Sequence, residues 1–299
     1  MAHLPITILA YFFNSIAVTI DKLLLSKAIK DPLVYVFYFS MVSMLTLLLI
    51  PFTHLPNFAA LALASVSTLF WTAGAYLMFS ALRIGLVSRV IPFIGTLIPI
   101  FLLFQAATTN AVTISQAVAV IVLILGLVFL SLPNWEGIMR GRELILVVLS
   151  ALFFATSYLF LREAYLEDQF LTVFVYSKPI LIPLGLLILV VPSLRERVFP
   201  KDKLNAHFSK LTLVIFVSGQ LSAGLAELLL TFSISLANPA LVNSLQGVQY
   251  AFLFIFSLFL AKKLPQVFKE KLNFYSLISK ISGLAFLAVG LYVLAFTKS

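Results

Sequence analysis

The sequence predicts an all-α integral membrane protein of ten transmembrane helices, arranged as two inverted five-helix repeats. Three observations predict it. Of 299 residues, 62% are hydrophobic and 10% charged, where a soluble domain carries roughly a quarter charged residues. Apolar stretches of about twenty residues, the length that crosses a ~30 Å hydrocarbon layer, recur along the whole chain. Finally, lysine and arginine fall in alternate connections, and the second half of the chain aligns on the first.

Ten segments are expected at Leu4 to Leu25, Leu33 to Phe52, Phe58 to Leu82, Val87 to Ala106, Val112 to Leu132, Glu143 to Leu161, Phe170 to Val191, Leu211 to Leu236, Pro239 to Leu260 and Ser276 to Phe296. Charge and turn residues mark the breaks, among them Asp31-Pro32, Pro51 to Asn57, Pro133 to Arg142, Glu167-Asp168, Pro192 to Lys210 and Lys262 to Asn273. Such residues resist burial in lipid or helix, so the chain turns there. Only Arg83 to Gly85 separates segments 3 and 4, and Asn238-Pro239 separates 8 and 9, which makes each pair a tight antiparallel hairpin. The first segment has no cationic residue before Lys22. It therefore lacks the basic start of a cleavable signal and is expected to be a retained helix.

Lysines and arginines orient the bundle. The connections 1–2, 3–4, 5–6, 7–8 and 9–10 and their flanks hold seventeen of them, and the opposite side has only Arg162 and Lys298. The positive-inside rule puts the rich side in the cytoplasm of a cell (inner or plasma) membrane and both termini outside. A shift of 141 residues lays Ala10, Phe12 and Phe13 on Ala151, Phe153 and Phe154, Val34-Tyr35 on Val175-Tyr176, and Pro51 on Pro192. A shift of 164 lays Gly126-Leu127 on Gly290-Leu291. The implied halves are residues 1–137 and 138–299, and an odd number of helices in each gives them opposite orientation.

At this point the chain resembles the drug/metabolite transporter (DMT) superfamily in its ten-helix EamA-like branch. The stretch ALRIGLVSRVIPFIGTLIPIFLLF, Ala81 to Phe104, is similar to the family's passage from helix 3 to helix 4, and SLANPALVNSLQGVQYAFLFIFSLFL, Ser235 to Leu260, to its partner. ISQAVAVIVLILGLVFL and LISKISGLAFLAVGLYVL resemble the closing helices of the two halves. The chain differs at Gln105 to Asn110 and Ala261 to Leu264, where members often carry a glutamate, and at Gln249-Tyr250, where a proline is common. The resemblance implies a solute carrier, often an exporter of amino acids or related metabolites.

Two charges lie inside segments, Lys178 and Glu227. Segments 7 and 8 run in opposite directions, which places both at similar depth, and an intramembrane charge is costly unless paired or facing a cavity. Gln220, Gly224, Glu227 and Thr231 recur at spacings of 4, 3 and 4 and share one helix face. Asn243, Gln246 and Tyr250 do the same on segment 9, with Gln249 beside them. Such polar stripes serve either as glue between helices or as a cavity wall. Lys178 precedes Pro179, and Pro183 follows; the carbonyls these prolines orphan give the lysine a structural use, the alternative being an ion pair with Glu227 or an anchor for a solute carboxylate. In the first half the midplane candidates are neutral: Asn14, Trp71, Tyr76 and Thr96. Asp21-Lys22 and Arg162-Glu163 read as interfacial charges.

The expected function is a secondary transporter or facilitator of a small polar or amphipathic metabolite working by alternating access, the resemblance favouring an amino-acid-like solute and implying export. Its partners are the small-molecule solute and the lipid bilayer, with a homodimer left open. The alternative is a non-transporting membrane scaffold or lipid-handling protein. Cysteine is absent and His3, His54 and His207 are scattered, so no metal or cofactor is expected. No phosphate loop or catalytic constellation stands out, so neither an enzyme nor nucleic-acid binding is expected.

Overall fold

A computed structural model describes residues 3–27, 31–84, 87–132, 141–199, 210–260 and 274–296. Most of those residues are helical, and there is no strand among them. The helices are α1 (His3–Lys27), α2 (Pro32–Ser43) with its 3-10 continuation (Met44–Phe52), α3 (Phe58–Ile84), α4 (Val87–Thr108), α5 (Ile114–Ser131), α6 (Gly141–Glu167), α7 (Phe170–Tyr176), α8 (Leu181–Val190), α9 (Pro192–Val198), α10 (Lys210–Leu236), α11 (Pro239–Ser244), α12 (Gly247–Leu260) and α13 (Phe274–Phe296). Among the described residues, nine helical stretches are long and apolar enough to cross a membrane, and Val36–Phe52 is a shorter apolar one. The chain is a multi-pass membrane protein. Residues 133–140, Lys201 to His207 and Lys262 to Asn273, with the basic residues they hold, lie outside the described residues.

The helix ends follow local chemistry. Asp31 caps α2 through the Leu33 amide, ahead of Pro32 at the first helical position. Thr113 and Gln116 form a reciprocal capping box on α5, and Asn238 caps α11 ahead of Pro239. Each satisfies donors that a helix start leaves free.

Three segments expected to be continuous are not. Segment 2 tightens at Met44, where the Ser43 and Thr46 hydroxyls bond the carbonyls of Ser40 and Ser43 three residues back. Such bonds compete with the regular helical ladder. Segment 7 breaks into α7 and α8 at Pro179. The carbonyls of Val175 and Pro179, denied their usual donors by Pro179 and Pro183, accept instead from the amides of Lys178 and Ile182 at 3.2 and 3.0 Å. Segment 9 breaks at Leu245-Gln246, where the amides of Leu245, Gln246 and Val248 also bond three residues back. A fourth correction concerns Pro192 to Lys210, expected as a connection: its first part is the helix α9, begun by Pro192.

The buried faces are made of small residues. Ala60, Ala64, Ser67 and Gly74 of α3 face α6, where Ser67 donates to the Ser157 carbonyl at 2.9 Å and Ser150 to the Gly74 carbonyl at 2.8 Å. Without a hydrophobic drive between helices in lipid, close approach and interhelical hydrogen bonds hold such pairs. The α5–α13 contact is closer still: a Cβ on Gly126 would stand 3.0 Å from the Gly283 carbonyl oxygen. Large apolar side chains such as Leu48, Phe104, Ile114 and Val190 point outward, the surface a bilayer covers.

Candidate functional site

The breaks in segments 7 and 9 face one cavity of about 260 Å³, lined from α1, α2, α3, α4, α6, α7, α8, α10, α11 and the turn and first residues of α12. Because backbone amides satisfy the proline-orphaned carbonyls, the Lys178 side chain is free for other work. Its Nζ donates to Glu227 Oε1 at 2.5 Å. The pair is largely shielded, with the lysine side chain 8% and the glutamate 24% exposed. The ammonium also stands 5.3 Å from the centre of the Phe174 ring, a favourable cation–π distance. Both charged side chains line the cavity, so the carboxylate keeps a face toward it.

Around this pair stand aromatic and amide groups. Phe39 stacks on Trp71 at 5.1 Å, and Trp71 meets Phe154 edge-on at 5.7 Å. Tyr158 and Tyr165 of α6 lie within electrostatic reach of Glu227. Opposite, Asn14 of α1 donates to Gln249 of α12 at 3.2 Å, and Tyr11 donates to the Val242 carbonyl. Asn243 spends one amide hydrogen on the Pro239 carbonyl of its own helix at 3.0 Å. The Gln246 amide rests against Gly95, where an added Cβ would come within 2.9 Å of it. An apolar cavity with a few convergent polar groups is the usual form of a small-molecule site.

Of the residues singled out in sequence, Lys178, Glu227, Asn14, Trp71, Asn243, Gln246, Gln249 and Thr231 line this cavity together. Three do not. Gln220 is buried two helical turns from Glu227, in the part of α10 where neighbouring Gly219 packs on Ile20 of α1. Tyr76 is 41% exposed and neighbours Arg197, because α3 turns Trp71, Thr72 and Ala75 inward and carries the next position sideways. Thr96 bonds the Pro92 carbonyl of its own helix at 2.8 Å. Gly224, expected on the polar face, is exposed with nothing within 4 Å of an added Cβ.

Other contributors were missed in the sequence. Asp21, read as interfacial, lines the cavity, as do Phe39, Phe154, Tyr158, Tyr165 and Phe174. Phe154, Tyr158, Leu161 and Tyr165 recur at 4, 3 and 4 along α6, a one-face signal that was present but indistinguishable from packing. Arg162, its companion in the interfacial reading, donates to the Ile234 carbonyl at 2.9 Å and to that of Ser235. A cation there complements the C-terminal end of α10.

Two polar clusters tie α2 and its continuation to the α7–α9 region at their ends. Arg197 grips Asp31 through two hydrogen bonds of 2.9 and 2.8 Å. Burial raises the Asp31 carboxyl, but the Arg197 hydrogen bond, the Leu33 amide and the charges of Arg197 and Arg83 outweigh it and hold the group below the usual range. At the other end His54 meets Asp168 at 2.8 Å and Thr172 at 3.3 Å, and Asn57 donates to the Glu167 carbonyl at 3.1 Å.

No known protein-family profile matches this chain, and no curated protein sequence matches it. Among solved structures 23 chains match. One of them, described only as a crystal structure of a protein, is 13% identical, covers 100% of this chain and 99% of its own, and superposes with a TM-score of 0.64. At that identity the likeness is one of fold.

Proposed function

We propose that this chain is a secondary transporter or facilitator of a small zwitterionic or amphipathic metabolite, an amino-acid-like solute being the favoured class. We infer that it works by alternating access, with ten membrane-crossing segments in two inverted halves, residues 1–137 and 138–299, in the manner of the DMT superfamily. The observation that carries the reading is the Lys178–Glu227 ion pair, formed at a helix break inside membrane-length helices and facing a cavity. Separated, the two charges match the carboxylate and ammonium of an amino acid. Paired, they neutralise each other while the site is empty.

Helix packing supports the inverted halves. α1 packs chiefly on α10 and α3 on α6, so the first segment of each half lies on the third of the other, and the closing helices α5 and α13 lie on each other. The shift of 141 residues that aligns the halves carries Asp31 onto Thr172 and His54 onto Arg195, two residues before Arg197. The two end clusters thus use corresponding positions, as gates at opposite ends of an inverted repeat would. Orientation with both termini outside the cell membrane rests on the charge distribution.

The test is uptake or efflux in proteoliposomes by wild type, Glu227→Gln and Lys178→Met. Both variants are expected to lose most transport while reaching the membrane. Wild-type rates from both would end the proposal and leave the scaffold reading, in which the polar groups only join helices.

A further inference from the structure

We infer that α7 is a lid over one end of the cavity, hinged at Ser177–Ile180 and held shut by two ties: the His54 latch at its start and the Lys178–Glu227 pair at its hinge. The second tie makes the lid answer to the solute, which rests on the reading that a zwitterion inserts between Lys178 and Glu227.

The cavity is closed unevenly. Its lining follows α1 as far as Asp21 and α3 as far as Leu82, and begins on α4 at Ile91, close to where α1 and α3 finish and α4 starts. At the opposite end, where α3, α7 and α11 begin and α6 and α10 finish, Ala60, Leu161, Ala164, Val173, Ile234 and Val242 form a buried apolar plug. Val173 is the share of α7 in that plug, while Phe174, Ser177 and Lys178 line the cavity beside it. A shift of α7 therefore breaches the plug and moves a wall of the site in one step.

The chain lets α7 move as a unit. It is seven residues long, and Pro179 and Pro183 remove the donors that would continue its ladder into α8. The three-back bonds of Lys178 to Val175 and of Ile182 to Pro179 stand in their place. At its start the latch reaches across from the connection before α3: His54 meets Asp168 at 2.8 Å and Thr172 at 3.3 Å, and Asn57 donates to the Glu167 carbonyl at 3.1 Å. With the His54 side chain 53% exposed, water replaces these bonds when they break, so each is weak. Phe170 also holds α7 to α6 and α10, through the rings of Tyr165 and Phe232 at 5.4 and 4.9 Å. Apolar contact is non-directional, so these rings can slide where the hydrogen bonds must break. At the hinge, a solute carboxylate that takes the Lys178 ammonium from Glu227 unties α7 from α10 and leaves the latch to hold the lid. Occupation of the site thus shifts the lid equilibrium toward open.

Thr231→Cys, a cavity position in a full-length chain otherwise without cysteine, reports on the lid through its reaction with a membrane-impermeant thiol reagent from each face, in spheroplasts and in inverted vesicles. Gln169→Cys, exposed in the turn before α7, identifies the lid face. The ratio of the rates from the two faces cancels any change in the reactivity of the thiol itself. His54→Ala, added to Thr231→Cys, should raise the lid-face rate relative to the other by about threefold to tenfold, the effect of losing two hydrogen bonds. Asp168→Asn should act in the same direction, and His54→Gln, which can still donate to Asp168, should act less than His54→Ala. Glu227→Gln, which breaks the other tie, should raise the ratio on its own. An unchanged ratio in His54→Ala and Asp168→Asn, including the equal gain from both faces that a loosened fold gives, overturns the lid. A gain in His54→Ala with none in Glu227→Gln overturns the coupling of lid to site. The reading of the pair as a solute site is decided separately, by the transport of Glu227→Gln, so the two can fail apart.

Discussion

Removing either partner of the Lys178–Glu227 pair should destabilise the protein, and the two losses should not add. Breaking a buried ion pair from one side costs about 3–5 kcal/mol, because the other charge stays behind without its partner. Glu227→Leu strands an ammonium whose side chain is 8% exposed, which argues for the upper part of that range. The Phe174 ring at 5.3 Å returns only about 0.5–1 kcal/mol. Lys178→Met strands a carboxylate that is 24% exposed at a cavity, where water can reach it, and should cost nearer about 3 kcal/mol. In the double variant no charge is stranded, and stability should recover by at least about 2 kcal/mol relative to the summed singles. For a chain of this size each kcal/mol moves the melting temperature by about 2 °C, so scanning fluorimetry in detergent resolves the cycle. A double variant as unstable as the two losses combined would show that the charges do not depend on each other.

Gly126→Ala and Gly283→Ala should each cost about 1–3 kcal/mol, since the added methyl meets backbone of the facing helix at 3.0 Å or less. Gly224→Ala, in open space, should melt like wild type in the same assay. Asp31, with its carboxyl held below the usual range, contributes stability above its unfolded pKa that is lost as pH falls through the folded value. The advantage of wild type over Arg197→Gln in thermal melts should therefore shrink between about pH 5 and about pH 3; both partners are around a third exposed, so it should stay under about 1 kcal/mol. Single cysteines at Gln246 and Thr231, both cavity-lining in a chain with no cysteine of its own, should react with a membrane-impermeant thiol reagent. Inertness at both positions would favour the scaffold.

Much of this architecture is legible in the one-dimensional order of residues, for reasons specific to membranes. A spanning helix must be predominantly apolar, so hydropathy marks α3, α4, α5 and α13 to within a few residues, whereas α6 runs on six residues past its expected end at Leu161. The charges Lys178 and Glu227 stood out because no other segment interior carries one, and opposite chain directions put them at one depth. Less legible were the breaks at Leu245 and Met44, which arise from hydroxyl and backbone bonds to carbonyls three residues back and leave little trace in composition. Asp21 was misread because its position near a segment end fits an interfacial charge equally well. Tyr76 and Gln220 were misassigned for a related reason: periodicity groups residues on a face without saying what that face meets.

Membrane residence, the approximate spans and the presence of two opposite charges at one depth follow from the sequence by itself, since the bilayer selects each segment through its own transfer free energy. Only the tertiary structure decided that those charges touch, that Asp21 and the α6 tyrosines share their cavity, and that Gln220 does not. Rotation of a helix about its axis costs nothing in hydropathy. It is set by the close approach of small residues such as Gly74, Gly126 and Gly219 to partners far away in the chain.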